Sequence, residues 1–284
     1  MRPKRSDGEG EPAKGAPRAA AGGVPALLSV EGVSKHFGAL AAVDHLSFEV
    51  MPGEVLGIGG PNGAGKTTLF EVISGLNPAT SGRVIFDGRD ITSLSPEAIC
   101  HAGIARTFQL NAGFDTLSIA DNVRVAAYFG RSDRLWPGLR IDRATESVVD
   151  EALATVGLDG RGHLLTGSLP VLDRKLAMLA SALATRPKLL LLDEPVGGLN
   201  PSEIDRVMAV VGEVARSGVT IILIEHIMRF LVELSTRVLI MHHGERIYQG
   251  PPGGLVRDRT VVDVYLGAGA SERLGTLLAE KGKA

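Results

Sequence analysis

Apolar and polar positions alternate over residues 27–33 (LLSVEGV) and 43–50 (VDHLSFEV), a period of two that predicts strands with one buried face. Residues 55–58 form a short apolar run that enters a Gly-rich turn. From 67 to 76 the apolar spacing becomes helical, and Asn77-Pro78 ends that helix. Residues 83–86, followed by the Asp87-Gly88 turn, predict another strand, and 104–108 a further short one. Between Ser118 and Thr185 helical periodicity dominates, with helices expected over 119–129, 142–156 and 173–185. Residues 188–192, 219–224 and 238–241 are continuous apolar runs, separated by helical patterns at 202–216 and 227–235. Runs of that kind, alternating with helices, mark a parallel sheet covered on both faces. The expected fold is therefore α/β, with a β-rich start and an all-helical insert in mid-chain.

Composition narrows the function classes. Of 284 residues, 44% are hydrophobic and 22% charged, which excludes disorder for the bulk of the chain. Lys and Arg number 30 against 32 Asp and Glu, and a net charge of -2 offers no footprint for a nucleic-acid backbone. Nucleic acid is not an expected partner. The longest apolar runs fall far short of the ~20 residues that span a bilayer, so no membrane-crossing segment is expected. The single cysteine, Cys100, permits no internal disulfide and reads as a packing residue. Residues 1–26 are rich in Gly, Ala, Pro and charge without the apolar centre of a secretory signal, and are expected to form a disordered tail. Arg2, Lys4 and Arg5 could touch anionic lipid, but three charges attract a surface weakly. Residues 267–284 are expected to form a C-terminal tail.

Chemistry enters at GPNGAGKTT: Gly60, Pro61, Asn62, Gly63, Ala64, Gly65, Lys66, Thr67 and Thr68. This string satisfies G-x-x-x-x-G-K-[ST] between an expected strand and an expected helix, the context the motif requires. Glycines let backbone N–H groups turn around phosphate oxygens, and the helix N-terminus adds the positive end of its dipole. Lys66 is expected to reach the β- and γ-phosphates of ATP, and the Thr67 hydroxyl to coordinate Mg2+. A second motif, LLLLDEP, is an apolar strand ending in two carboxylates, which places Asp193 and Glu194 at the ligand crevice of an α/β sheet. Asp193 can hold Mg2+, through water, and Glu194 can act as general base on the attacking water.

With both motifs in place, residues 27–266 resemble the ATP-binding subunit of ABC transporters. That resemblance implies a P-loop NTPase with a RecA-like core, an antiparallel β subdomain and a helical subdomain near residues 109–170. It implies an ATPase whose hydrolysis is coupled to transmembrane transport. Phe37, in KHFGALAAV, sits where the family stacks an aromatic on adenine, although a core phenylalanine beside a turn would read the same way. Gln109, in GIARTFQ, occupies the Q-loop position, which contacts Mg2+ and the water, whereas an isolated Gln would be a polar surface residue. His226, after the strand VTIILIE, occupies the switch position, where an imidazole can bond the γ-phosphate. Residues 197–200 look like the D-loop, with Asn200 where many relatives have Asp. His242 and His243 lie in a hairpin turn and receive no role.

The wording GIARTFQ, ALATRPKLLLLDEP, GLNP, IEHIM and VVDVYLG is similar to the ATP-binding subunits of branched-chain amino acid importers, and urea and amide importers share much of it. The implied partners are membrane permease subunits, a second ATP-binding subunit and a periplasmic or extracytoplasmic solute-binding protein. The implied location is peripheral, on the cytoplasmic face of the inner or plasma membrane. Phe114 and Leu117, in the insert, are candidate permease contacts, although core packing would explain them equally well.

One segment departs from the family. Residues 169–173, LPVLD, stand where its LSGGQ signature falls. Pro170 replaces the serine that binds the partner's γ-phosphate and also removes a backbone donor. Leu172 replaces the glycine that lets the backbone approach. Each composite site pairs one subunit's phosphate loop with the other's signature, so a heterodimer with one fully formed site ranks first. A weakened or non-hydrolysing subunit, or a soluble ATP-dependent switch, are the alternatives.

Overall fold

In the computed structural model, residues 24–107, 113–130, 143–266 and 274–275 are described. The chain opens with β1 (Leu28–Phe37), β2 (Leu40–Val50) and β3 (Val55–Gly59), then α1 (Lys66–Ile73), β4 (Ser81–Phe86) and β5 (Arg89–Asp90). Next come α2 (Pro96–Ala102), β6 (Ile104–Thr107), α3 (Ile119–Phe129), α4 (Arg143–Thr155), α5 (Val171–Ala184) and β7 (Leu189–Asp193). The last part holds α6 (Pro201–Arg216), β8 (Thr220–Ile224), α7 (Met228–Leu234), β9 (Arg237–His242) and β10 (Glu245–Gly250).

Two sheets result. A four-stranded antiparallel sheet has the order β2-β1-β4-β5, and a six-stranded sheet the order β10-β9-β3-β8-β7-β6. In the larger sheet β9, β3, β8, β7 and β6 run parallel, and β10 pairs antiparallel with β9 at the edge. Alternate residues of its central strands enter two different cores. Leu190, Leu192, Ile221 and Leu223 pack with α3 to α7, whereas Leu189, Leu191, Ile222 and Ile224 pack with α1 and the small sheet. Both faces are covered, so these strands carry no polar alternation.

The helices start and stop where local chemistry dictates. Ser118 caps α3 by accepting from the Asp121 N–H, and α6 begins on a full capping box between Asn200 and Glu203 with Pro201 next to the cap. The helix after the phosphate loop ends at Ile73 rather than at the expected Leu76. Gly75, at φ 72, turns the chain, and an added Cβ there would lie 2.9 Å from the Leu94 carbonyl oxygen. Some elements escape the hydrophobic pattern. Helix α2 has only Ile99 buried, and β10 is half exposed along its length.

Helices α3, α4 and α5 form the expected insert, joined through Val123, Val149 and Leu176 in one core. Residues 143–155 are helical, and an isolated antiparallel bridge between Ser118 and Leu165 ties the start of α3 to the connection between α4 and α5.

Candidate functional site

The phosphate loop links the end of β3 to the start of α1, and two glycines make its path possible. A Cβ on Gly60, at φ 142, would lie 2.2 Å from the Met241 carbonyl oxygen, and one on Gly65, at φ 98, 2.0 Å from that of Ala42. No other residue fits either position. Lys66 is the first residue of α1, and its buried Nζ donates to the carbonyls of Gly60 at 2.8 Å and Pro61 at 2.9 Å. Burial pushes the Lys66 ammonium down, while Glu194 and Asp193 pull it back up. The lysine thus spans the loop it belongs to.

Above the loop lies a cleft of about 480 Å3 lined by Phe37, the loop from Asn62 to Thr68, Glu194 and His243. Phe37 ends β1 and is 47% exposed, with the Lys35 Nζ 5.0 Å from its ring centre. It is not a core residue. Thr67 is also exposed at the cleft.

Asp193 and Glu194 follow each other but meet different surroundings. Asp193 closes β7 and is buried; its Oδ2 accepts from Arg106 of β6 at 2.8 Å, and both side chains are nearly inaccessible. Burial raises the Asp193 carboxyl, and Arg106 opposes that rise. Its Oδ1 is buried and finds no hydrogen-bond partner among the described residues. That orphaned oxygen is the kind of acceptor a hard cation such as Mg2+ takes together with substrate phosphates, although Asp193 itself does not line the cleft on which Thr67 is exposed. No group of three or more His, Cys, Asp or Glu among the described residues offers a cage for a metal ion by itself. Glu194 adopts a left-handed backbone, φ 48, which is unfavourable for a side chain of this type and is held from both sides. Its N–H donates to the Ile224 carbonyl at 3.0 Å, and its carbonyl accepts from Lys175 at 3.1 Å.

His226 follows β8, beside the end of β7, with its ring largely exposed. It shares the sheet edge with the carboxylates but does not line the cleft. Gln109 lies outside the described residues. Three neighbours had no role in the sequence: Arg106, which holds Asp193; Glu225, whose carboxylate accepts the His226 N–H at 3.1 Å; and His243 on the cleft wall. His243, at φ 48, precedes Gly244, which bonds Ala64 of the phosphate loop at 3.1 Å and Asp44 of β2 at 2.9 Å. A long-range brace of this kind has no sequence signal.

The segment 169–173 forms the start of α5. Pro170 stands at the cap without a side-chain hydrogen bond, Leu172 is buried in the helical core, and Asp173 is buried in an ion pair with Arg161 at 2.7 Å. A second cavity, about 440 Å3, opens between β6, α2, α3 and α5, with Leu76, Cys100, Phe114 and Met178 on its walls. Phe114 is 59% exposed, whereas Leu117 is half-buried. Burial pushes the Cys100 thiol up, as expected for a packing cysteine. No helix among the described residues is long and apolar enough to cross a membrane.

Comparison with known proteins agrees with this geometry. The family model described as ABC transporter matches residues 43–197. The high-affinity branched-chain amino acid transport ATP-binding protein LivG of Escherichia coli (strain K12) is 32% identical over 249 residues, covering 85% of this chain and 98% of that one. BraF of Pseudomonas aeruginosa, with the same description, is 31% identical over the same coverage. The ribose import ATP-binding protein RbsA 1 of Rhizobium johnstonii is 31% identical, with 46% of its length matched. Among solved structures, a nucleotide-free ATP-binding cassette from an ABC transporter superposes with a TM-score of 0.77 at 29% identity, covering 86% of this chain and all of that one. The ADP conformation of an ABC transporter cassette gives the same TM-score at 30% identity and the same coverage. The phosphate loop, the β7 carboxylates and these likenesses together establish that the chain belongs to the ABC transporter family, with the fold of its ATP-binding cassette.

Proposed function

We propose that this chain binds and hydrolyses ATP to drive import of an amino acid, with branched-chain amino acids first in rank. The observation that carries the hydrolytic part is the meeting of Glu194 with the loop from Asn62 to Thr68 on one cleft. Lys66, already aimed across the loop, contacts the terminal phosphates by exchanging its carbonyl partners for phosphate oxygens. Thr67 and Asp193 are the residues that would hold Mg2+, which when bound neutralises charge on the phosphoryl oxygens. Glu194 orients the attacking water and accepts its proton. Phe37 stacks on the adenine, and His226 and Gln109 complete the phosphate and metal contacts. The substrate class rests on the likeness to LivG and BraF.

The partners follow from the same reading. Membrane permease subunits dock in the cavity beside Phe114, an extracytoplasmic solute-binding protein delivers the solute, and the chain sits peripherally on the cytoplasmic face. A second ATP-binding subunit supplies the opposing signature. The start of α5 supports a heterodimer, since its cap is a proline and its first turn already holds the Asp173 carboxylate. The test is to isolate the complex from membranes, identify its members and measure ATP turnover with solute-binding protein in the loaded and empty states. Turnover stimulated by an amino acid is the expected result, and stimulation by another class of solute alone overturns the substrate assignment.

A further inference from the structure

Glu225 directly follows β8, has no exposed surface and has no part in the mechanism above. Its Oε1 accepts the N–H of Val196 at 3.1 Å, two residues beyond Glu194. Its Oε2 accepts the N–H groups of His226 at 3.1 Å and Ile227 at 3.4 Å. One buried carboxylate therefore fastens the turn that carries Glu194 to the turn that carries His226. Burial raises the Glu225 carboxyl, and the three backbone donors act against that rise, as they favour the ionised form.

A positive charge faces this junction. Lys175 of α5 donates from Nζ to the carbonyl of Glu194 at 3.1 Å, and its ammonium, lowered by burial, is supported by the charges of Glu225 and Glu194. Lys175 stands two residues beyond Asp173, on the helix that begins with LPVLD. A shift of that helix thus pulls directly on the backbone of the residue read as general base.

We propose that Glu225 and Lys175 are positioning residues of the ATPase site, Glu225 by setting the separation of Glu194 and His226, and Lys175 by transmitting the placement of α5 to Glu194. The proposal rests on the hydrolytic reading of this site. Glu225→Gln is the sharpest probe: it keeps the shape, but its NH2 must face at least one N–H that the carboxylate accepted. The loop holding Lys66 is untouched by either change.

The experiment measures ATP turnover, affinity for a fluorescent ATP analogue, and melting temperature of the assembled complex. The variants are Glu225→Gln, Lys175→Met and the double variant, with Glu225→Asp and Lys175→Arg as conservative partners. Glu225→Gln should lower kcat about tenfold or more with affinity within about twofold, the signature of a displaced catalytic group. Lys175→Met should lower kcat severalfold, Lys175→Arg should restore most of it, and the double variant should be no worse than Glu225→Gln alone. Unchanged kcat in Glu225→Gln, multiplicative losses in the double variant, or kcat and affinity falling together with melting temperature would each overturn the proposal. If Glu225→Gln does not fold, the Lys175 pair decides: unchanged kcat in Lys175→Met, or no recovery in Lys175→Arg, overturns the linkage. An inactive unmodified complex would instead sink the hydrolytic reading, and this proposal with it.

Discussion

Helices α1 and α5 begin at the two segments where the sequence resemblance places phosphate contacts, yet the residues of their first turns differ sharply. Gly65 precedes α1, and the turn ahead of it is open to the cleft from Asn62 to Thr68. Pro170 precedes α5, Leu172 is buried, and Asp173 places a carboxylate inside the first turn, where Arg161 neutralises it. Both termini carry the same positive dipole end. A helix start thus becomes a phosphate cradle only when small residues let the backbone approach and when no carboxylate already stands in the first turn.

The largest effect should come from the cleft side. Glu194→Gln is expected to slow turnover by about 10²-fold or more while leaving ATP affinity near that of the unmodified chain, because a general base acts on the rate. Single-turnover kinetics beside equilibrium binding check this, and equal loss of affinity would contradict the role. The α5 start should respond next. Pro170→Ser with Leu172→Gly and Asp173→Gln should raise turnover of the isolated, self-associating chain by about 10²-fold, since one well-placed donor to a developing charge is worth ~3 kcal/mol. In a complex with a partner that carries an intact signature the gain should be smaller. Vigorous turnover by the unmodified chain alone would show that LPVLD is no impediment. Because Leu172 belongs to the core and Asp173 is buried against Arg161, the triple change should also lower the melting temperature, and Pro170→Ser alone separates the two effects.

Smaller effects sharpen the contrast. Lys66→Ala should weaken nucleotide binding itself by about tenfold or more, as expected when a charged donor to phosphate is lost. Phe37→Ala should cost affinity about tenfold through lost stacking without altering kcat, which titration with ATP and an inorganic triphosphate would reveal. Asn200→Ala, at the cap of α6 and away from the cleft, should cost only about 1 kcal/mol and lower the melting temperature by ~2 °C.

Local chemistry made much of this molecule legible beforehand. The α3 helix matches its expected span of 119–129, because Ser118 caps it and Gly130 ends it within the sequence itself. The runs at 188–192 and 219–224 were legible as buried strands, observed at 189–193 and 220–224, because both faces are apolar. Helix α2 was not, since its seven residues bury only Ile99 and its signals are the Ser95 cap and Gly103 rather than a stripe. Strand β10 was not, because as an edge strand half exposed along its length it carries no clear alternation.

The site divides in the same way. A phosphate loop is a contiguous string whose glycines and lysine act within nine residues, so GPNGAGKTT announces its chemistry without knowledge of the rest of the chain. The two adjacent carboxylates of LLLLDEP are equally visible in the one-dimensional text. What separates them is not: Asp193 is paired with Arg106, 87 residues earlier, whereas Glu194 is held out at the cleft by the carbonyl of Ile224 and the ammonium of Lys175. Glu225 becomes the tie between two turns only because β7 and β8 lie side by side, and His243 reaches the cleft only because its turn bonds both Ala64 and Asp44. Motifs whose parts act on one another through a few covalent bonds are written in the chain. The burial, pairing and backbone strain that turn those parts into a site depend on elements far apart in the chain, and only the folded sheet places them.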